Sequence, residues 1–181
     1  MAFYRRNLPH WHPENRCIFL TWRLHGSLPV GFIRGLRLKA RLEPTEEFRL
    51  AEKLLDRPAQ GPLWLKNPNV AGAIVDVLLH SAFELHRYDL HSYAVMANHI
   101  HALLTPFAHM RAVTQELKGA SARCSNAILH RTGKFWQSES FDHWVRNEGQ
   151  FERIKKYIEN NPVKARLCAK PEDWPWSSAS K

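Results

Sequence analysis

The order of strand-like and helix-like patterns along the 181-residue chain predicts an α+β fold. Residues 16–24 alternate with a period of two, as one strand of a sheet does. Residues 89–96 and 99–106 also have strand patterns, and the two-residue corner between them predicts a hairpin. Helical stripes follow, giving the order strand, helices, strand, strand, helix, strand, helix. This order is typical of a ferredoxin-like or RRM-like antiparallel sheet with helices packed on it, and we expect those helices on one face.

Capping residues and prolines mark the ends of the predicted helices. Three helices are predicted to begin at Thr45, Asn67 and Asn147, and another lies on the apolar stripe from Met110 to Ile128. The expected ends are the residue before Pro58, the C-cap glycine Gly133, and Asn161, which precedes Pro162. The fourth strand is expected within residues 135–146.

The composition predicts one domain that spans residues 1–181. Hydrophobic residues make up 44% of the chain, which is typical of proteins that form a core. Proline and glycine between residues 58 and 68 predict an irregular connection. We therefore interpret residues 41–68 as an insertion or arm rather than as part of the core.

The charge of the chain favours a polyanionic partner. The net charge is +9 and the isoelectric point is near 9.8, which suits nucleic acid, although many basic proteins are merely soluble. Three cysteines without C-x-x-C spacing argue against a disulfide framework and against a zinc cluster. No signal peptide or membrane span is apparent. We expect a cytoplasmic, nucleoid-associated protein with no membrane partner.

A pair of histidines lies in the second strand of the predicted hairpin. A period of two places His99 and His101 on one face of this strand, whereas Ile100, Ala102 and Leu104 line the other. Two neutral imidazoles side by side are either a solvated or hydrogen-bonded pair or two nitrogen ligands of a divalent metal. The second interpretation requires a third donor from elsewhere in the fold.

The last predicted helix offers that donor together with a nucleophile. Tyr157 and Asn161 are four residues apart, so a phenol and an amide oxygen project from the same side. Spacing alone also fits a Tyr157 at the edge of the buried stripe. If this helix crosses the histidine face, then His99, His101 and Asn161 can hold a metal beside Tyr157. Such a set suits phosphoryl transfer on nucleic acid, with the phenol attacking phosphorus and the 3′-oxygen leaving.

The two segments that carry these residues, 93–106 and 157–165, resemble the two signatures of the single-tyrosine HUH transposases of the IS200 type. More narrowly, they resemble the branch called REP-associated tyrosine transposases. Further segments similar to that branch are 21–29, 136–137, 142–146 and 174–178. The resemblance covers nearly the whole chain except residues 41–68.

The resemblance implies an HUH endonuclease fold, a nucleophile and a metal site. Carried over by position, His99 and His101 are metal ligands, Tyr157 is the nucleophile, and Asn161 is the third ligand, where insertion-sequence relatives often have Gln. The implied cofactor is Mg²⁺ or Mn²⁺. The implied partner is single-stranded, hairpin-forming DNA, in this branch short repeated palindromes, which is cleaved and rejoined through a 5′-phosphotyrosine. The protein would act as a monomer or as a homodimer.

Basic and aromatic residues outside these signatures have two interpretations each. Cations on the last two helices either contact DNA phosphates or only form a helix face that is exposed to water. These residues are Arg111, Lys118, Arg123, Arg153, Lys155 and Lys156. Trp174 and Trp176 either stack on bases or tether the C-terminal segment to the body of the protein.

Two other functions compete with that of a transposase. An RRM-like sheet with basic helices can bind structured single-stranded nucleic acid without any chemistry, but such a module does not need two histidines, a tyrosine and an asparagine together. A plasmid-type replication initiator of the same superfamily would nick DNA at an origin. The lack of a second nearby tyrosine and of a helicase-like domain disfavours it.

Overall fold

The structure is a computed structural model, and it is centred on a four-stranded antiparallel sheet. It describes residues 2–5, 9–12, 16–28, 44–56 and 61–180. The sheet has the order β4-β5-β3-β6 and consists of β3 (Ile18–Arg23), β4 (Tyr88–Val95), β5 (His99–Pro106) and β6 (Phe141–Trp144). A separate hairpin of β1 (Ala2–Arg5) and β2 (Pro9–His12), which the sequence analysis did not predict, precedes it.

Strand β5 is an inner strand of the sheet. It pairs with β4 through Val95 and Ile100, and with β3 through Thr21 and His101. The Met96 N–H donates to the His99 carbonyl at 2.9 Å, which closes the predicted two-residue corner between β4 and β5. The α+β class and the predicted hairpin are therefore confirmed.

Within the described ranges, four helices accompany the sheet: α1 (Pro44–Leu55), α2 (Pro68–Phe83), α3 (Met110–Ile128) and α4 (Glu148–Lys164). Asn67 caps α2 by accepting from the Asn69 N–H at 3.0 Å, and Asn147 caps α4 by accepting from the Gln150 N–H at 2.9 Å. Helix α1 begins at Pro44, so that Thr45 lies in its first turn rather than at its cap. None of the described helices is long and apolar enough to cross a membrane.

The helices cover both faces of the sheet, so the expectation that they lie on one face is wrong. The larger core joins α2 and α3 to one side of β3 and β5, including Leu20 and Ile100. The smaller core joins α4 to the other side, where Ile158 packs with Phe19 and Leu103. Both faces of β3 and β5 carry side chains that can be buried, which is why neither face is left to solvent.

The ends of the last two helices differ from the predicted ends. Helix α3 stops at Ile128, and the first residue with positive φ after it is His130, at 49°, three residues before Gly133, at 91°. The Leu129 N–H satisfies the Ser125 carbonyl, so no glycine is needed there. Helix α4 does not stop at Asn161 but continues to Lys164.

Proline 162 lies inside α4 without ending it. The ring of Pro162 removes one backbone donor, but the next turn is held by the Ala165 N–H, which donates to the Asn161 carbonyl at 2.9 Å. Pro162 itself is buried. The helix ends instead before Arg166, which has φ of 58°. The extra turn places Lys164 on the same helix as Tyr157.

The segment interpreted as an insertion or arm contributes to the packed structure wherever it is described. Leu65 is 1% exposed and belongs to the larger core, and Leu55 is also buried. The Asn98 side-chain amide donates to the Leu55 carbonyl at 2.9 Å, so the end of α1 is attached to the corner before the histidines. Residues 41–43 and 57–60 lie outside the described residues. An insertion and a single domain stay predictions.

The C-terminal segment, residues 174–180, is attached to β4. The Trp174 indole N–H donates to the Val95 carbonyl at 3.0 Å, and the Val95 N–H donates to the Trp176 carbonyl at 2.9 Å. Ser177 is buried and forms a bridge with Ala94. These contacts are those of a tether.

Candidate active site

The two histidines of β5 face each other inside the protein. The Nε2 atoms of His99 and His101 are 3.1 Å apart, and the side chains are 1% and 0% exposed. They lie on the face of the sheet that α4 covers, together with Leu103, whereas Ile100 points to the opposite core. The alternation of side chains along β5 therefore places His99 and His101 on one face and Ile100 on the other, as the sequence predicted.

The protonation of the His99 ring follows from its neighbour in the corner. Asn98 donates through Nδ2 to the Leu55 carbonyl, which turns its Oδ1 toward His99. This oxygen can only accept, so the His99 Nδ1 at 2.7 Å must carry a proton. A neutral His99 then has its lone pair on Nε2, directed at His101.

The His101 ring is held by residues of β3. Its Nδ1 lies 2.7 Å from the Thr21 hydroxyl, and its ring stacks on Phe19 with centroids 5.6 Å apart. A hydroxyl both donates and accepts, so Thr21 is compatible with a proton on either nitrogen of His101. The His101 Nε2 can therefore carry a proton or offer a lone pair without any movement of the ring.

Burial keeps both imidazoles neutral. Desolvation lowers the pKa of His99 to about 3, because the protonated ring loses its contact with water. Desolvation also lowers the pKa of His101 well below its usual value, and the charges of His99 and Lys164 act in the same direction. Neutral imidazoles are the form that binds metal ions.

Helix α4 places the two other predicted residues over this pair. The Tyr157 ring lies 5.7 Å from the His101 ring and 6.0 Å from the Phe19 ring, measured between centroids. Asn161 is 1% exposed, one turn further along α4. The predicted condition that this helix crosses the histidine face is therefore met.

Two carboxyl groups, Glu52 of α1 and Asp56 directly after it, also reach this site, and the sequence analysis missed them. The Glu52 Oε1 lies 3.3 Å from the His101 Nε2. Burial, followed by the charge of Asp56, raises the pKa of Glu52 to about 8, and burial raises the pKa of Asp56 to about 6. The charge of Lys164 opposes both increases. Their position depends on how α1 docks, for which the sequence pattern carries no signal.

Lys164 brings a positive charge to the site, and the sequence analysis missed this residue as well. Its Nζ lies 4.4 Å from the centroid of the Tyr157 ring, in the geometry of a cation–π contact. Tyr157 and Lys164 are seven residues apart, which is two turns of a helix, but the predicted end at Asn161 left Lys164 outside the helix.

The donors present fit a divalent cation. Within the described part of the chain, no three His, Cys, Asp or Glu side chains already form a metal cluster. The Asn161 amide is a further donor beside the two imidazoles. Several buried polar atoms here have no partner with hydrogen-bond geometry among the described residues. They are the Tyr157 hydroxyl, the Asn161 Nδ2, the Glu52 Oε1 and the Asp56 Oδ1. Such a group of orphaned buried polar atoms is compatible with a bound ion, a ligand or ordered water.

The basic residues singled out from the sequence lie in two separate layers. Arg111 and Arg123 are exposed on α3, on the side of the sheet away from the histidines. Lys118 of α3 donates to the Gln137 carbonyl at 2.6 Å, and to the Ser138 carbonyl and the Ser140 hydroxyl, so it holds the loop before β6. The α4 cations lie on the histidine side; Arg153 and Lys156 are exposed and Lys155 is half-buried.

The chain is similar to one protein family and to two solved structures. The family described as IS200-like transposases matches residues 70–161, just over half of the 181 residues. A structure of a REP-associated tyrosine transposase bound to a REP hairpin is similar over 98% of this chain and 82% of its own, with 18% identity and a TM-score of 0.55. A crystal structure described as a transposase from Deinococcus radiodurans R1 covers 86% of this chain and 98% of its own, with 20% identity and a TM-score of 0.39. No curated protein matches the sequence significantly.

The raised pKa of Glu52 predicts a pH dependence of stability in metal-free protein. Between its ordinary value of 4.5 and about 8, the folded state holds a proton that the unfolded chain has lost. The free energy of unfolding must then fall as pH rises through this window. We expect Glu52→Gln to lack this fall, so that its stability relative to wild type increases from pH 5 to pH 8.

Urea denaturation in the presence of a chelator measures the effect. Asp76→Asn is the control, because it removes an equal charge at an exposed position of α2. Its curve should run parallel to that of the wild type. A Glu52→Gln curve that is also parallel would contradict the assigned burial of the carboxylate.

Proposed function

Because the chain belongs to the IS200-like transposase family, we propose that it is a metal-dependent tyrosine endonuclease and strand transferase. Its substrate is single-stranded DNA that folds into REP-like palindromic hairpins, and it acts on this DNA in the cytoplasm. The observation that carries the proposal is the contact between Tyr157 and His101 within one chain. A further support is that the structurally similar REP-associated tyrosine transposase is bound to a REP hairpin.

His99, His101 and Asn161 are the residues that would hold the ion, which is Mg²⁺ or Mn²⁺. When bound, such an ion supplies Lewis-acid polarisation of the scissile phosphate. The protein fixes the donors beforehand: Asn98 holds His99, Thr21 holds His101, and desolvation keeps both rings neutral.

Tyr157 is the nucleophile in this proposal. Its phenol oxygen bonds to phosphorus while the bond from phosphorus to the 3′-oxygen breaks, so a 5′-phosphotyrosine and a free 3′-hydroxyl result. The phenol gives its proton to a base, and the departing 3′-oxygen gains a proton. A free phenol has a pKa of about 10, and the ammonium of Lys164 beside the ring favours the developing negative charge. The reverse attack by a 3′-hydroxyl rejoins DNA without ATP.

The two other functions from the sequence analysis remain distinguishable. A pure binding module has no use for a buried phenol hydroxyl next to neutral imidazoles. This hydroxyl has no hydrogen-bond partner among the residues that the structure describes, and burying such a group is costly. The replication initiator shares the chemistry but differs in its target, an origin rather than dispersed hairpins. Cleavage of hairpin DNA with rejoining of a free 3′-end supports the transposase over both.

The first prediction concerns the covalent step. Tyr157→Phe should abolish the protein–DNA adduct and leave DNA affinity nearly unchanged, because only the hydroxyl is lost. His99→Ala should also abolish the adduct, in this case through loss of the ion. The measurement is a denaturing gel after incubation with hairpin-containing single-stranded DNA and Mn²⁺, with a chelator lane as control. An adduct that persists in Tyr157→Phe would rule out this nucleophile.

The second prediction concerns the number of chains per active site. Tyr157 lies against His101 of its own chain, so one chain contains every named group. A mixture of Tyr157→Phe and His99→Ala proteins should therefore form no adduct, even after joint unfolding and refolding. Restored adduct in the mixture would mean that a homodimer exchanges the tyrosine between its sites.

The third prediction separates the two basic layers. Arg153 is one turn before Tyr157 on the same edge of α4, whereas Arg123 projects from α3 beyond the opposite face of the sheet. Arg153→Ala should weaken single-stranded DNA binding and reduce the slope of log affinity against log salt by about one. Arg123→Ala is the matched control and should change neither value in a fluorescence anisotropy titration. Equal effects would mean that DNA extends over both layers.

A further inference from the structure

We propose that Glu52, from the segment that resembles an insertion, is an additional ligand of the divalent ion at His99 and His101. This inference rests on the proposed function, because it concerns the same ion. It goes beyond the ligand set carried over from the family resemblance, which consists of two histidines and the residue four after the tyrosine.

The spacing of the donor atoms supports this assignment. The Glu52 Oε1 is 3.3 Å from the His101 Nε2, which in turn is 3.1 Å from the His99 Nε2. Adjacent ligands of one ion, each about 2.1 Å from it, are roughly 3 Å apart. The His101 Nε2 therefore lies at the separation of co-ligands from both the Glu52 Oε1 and the His99 Nε2.

The surroundings of the carboxylate also call for a cation. The side chain of Glu52 is only 11% exposed, and its Oε1 has no hydrogen-bond partner among the residues the structure describes. Asp56 adds a second negative charge nearby. Lys164 supplies a positive charge, but from a solvent-exposed position where water and salt screen it. A divalent ion at the histidines would compensate the buried charge.

The chemistry of the ion points the same way. His99, His101 and Asn161 are all neutral donors, whereas Mg²⁺ and Mn²⁺ prefer oxygen ligands and carboxylates above all. Glu52 adds an anionic oxygen to this set. The helix that carries Glu52 is fixed relative to the histidines, because the Leu55 carbonyl at its end is bound by Asn98, the same residue that orients His99.

Direct titration of metal tests the proposal without reference to cleavage. Mn²⁺ is titrated by calorimetry into chelator-stripped, DNA-free full-length protein. We expect Glu52→Gln to raise the dissociation constant for Mn²⁺ at least about tenfold. Tenfold is the lower end of the loss seen when a residue that only hydrogen-bonds to a metal ligand is replaced. Glu52→Asp, which keeps the carboxylate on a shorter side chain, should bind with intermediate affinity. Asp76→Asn is the charge control and should bind as the wild type does.

The outcomes separate this inference from the proposed function. Wild-type affinity in Glu52→Gln, together with loss of Mn²⁺ binding in His99→Ala, would overturn the role of Glu52 and leave the proposed function intact. Absence of Mn²⁺ binding by the wild type would overturn both. If Glu52→Gln fails to fold, the folded Glu52→Asp protein decides the question. A carboxylate ligand that is only shortened should bind Mn²⁺ with intermediate affinity. Wild-type affinity, or no detectable heat of Mn²⁺ binding, would therefore contradict the role of Glu52.

Discussion

The burial of β5 on both faces is the constraint on which the rest of the structure depends. Successive side chains of a strand point to opposite sides, so Ile100 and its alternate neighbours must be apolar to meet α2 and α3. The positions between them lie beneath α4, and two of these are His99 and His101. A charged residue would be too costly at such a position, whereas a neutral imidazole can be buried when both of its nitrogens have neighbours. The site is thus built into the core rather than placed on its surface.

Asn98 connects this strand to a part of the chain that is distant in sequence. The nitrogen of its side-chain amide binds the Leu55 carbonyl, and the oxygen of the same amide binds the His99 ring. Because an amide has a donor end and an acceptor end, the first bond determines which nitrogen of His99 is protonated. Docking of α1 and the availability of the His99 lone pair are therefore linked through a single side chain. The same docking brings Glu52 to the site.

The parts of the site that follow from local periodicity could be predicted from the sequence. A period of two places His99 beside His101, and a separation of four places Tyr157 beside Asn161, whatever the rest of the fold does. The approach of α4 to the histidine face could be stated only as a condition, because it depends on which face of the sheet each helix covers. That choice was predicted incorrectly. Glu52 was out of reach, because its contact with His101 joins segments that no pattern relates.

The ends of the helices show the same division between features that local sequence determines and features that depend on tertiary contacts. Caps such as Asn147 act within a few residues and were predicted, whereas the continuation of α4 through Pro162 required knowing that the proline is buried. Local rules give the cost of a proline in a helix but not the tertiary contacts that offset it. The prediction of a stop at Asn161 therefore also hid Lys164.

Attachment of residues 174–180 to β4 has a consequence for the synthesis of the protein. Val95 next to the histidine corner is bonded to Trp174 and Trp176, which leave the ribosome long after it. The parts of a chain leave the ribosome in the order of the sequence, and a domain generally folds as a unit. The histidines of a nascent chain therefore wait for α4 and for this segment before they are enclosed. Tyr157 and the C-terminal segment thus join the histidines only late in translation, and a chain truncated before α4 carries the two imidazoles without Tyr157.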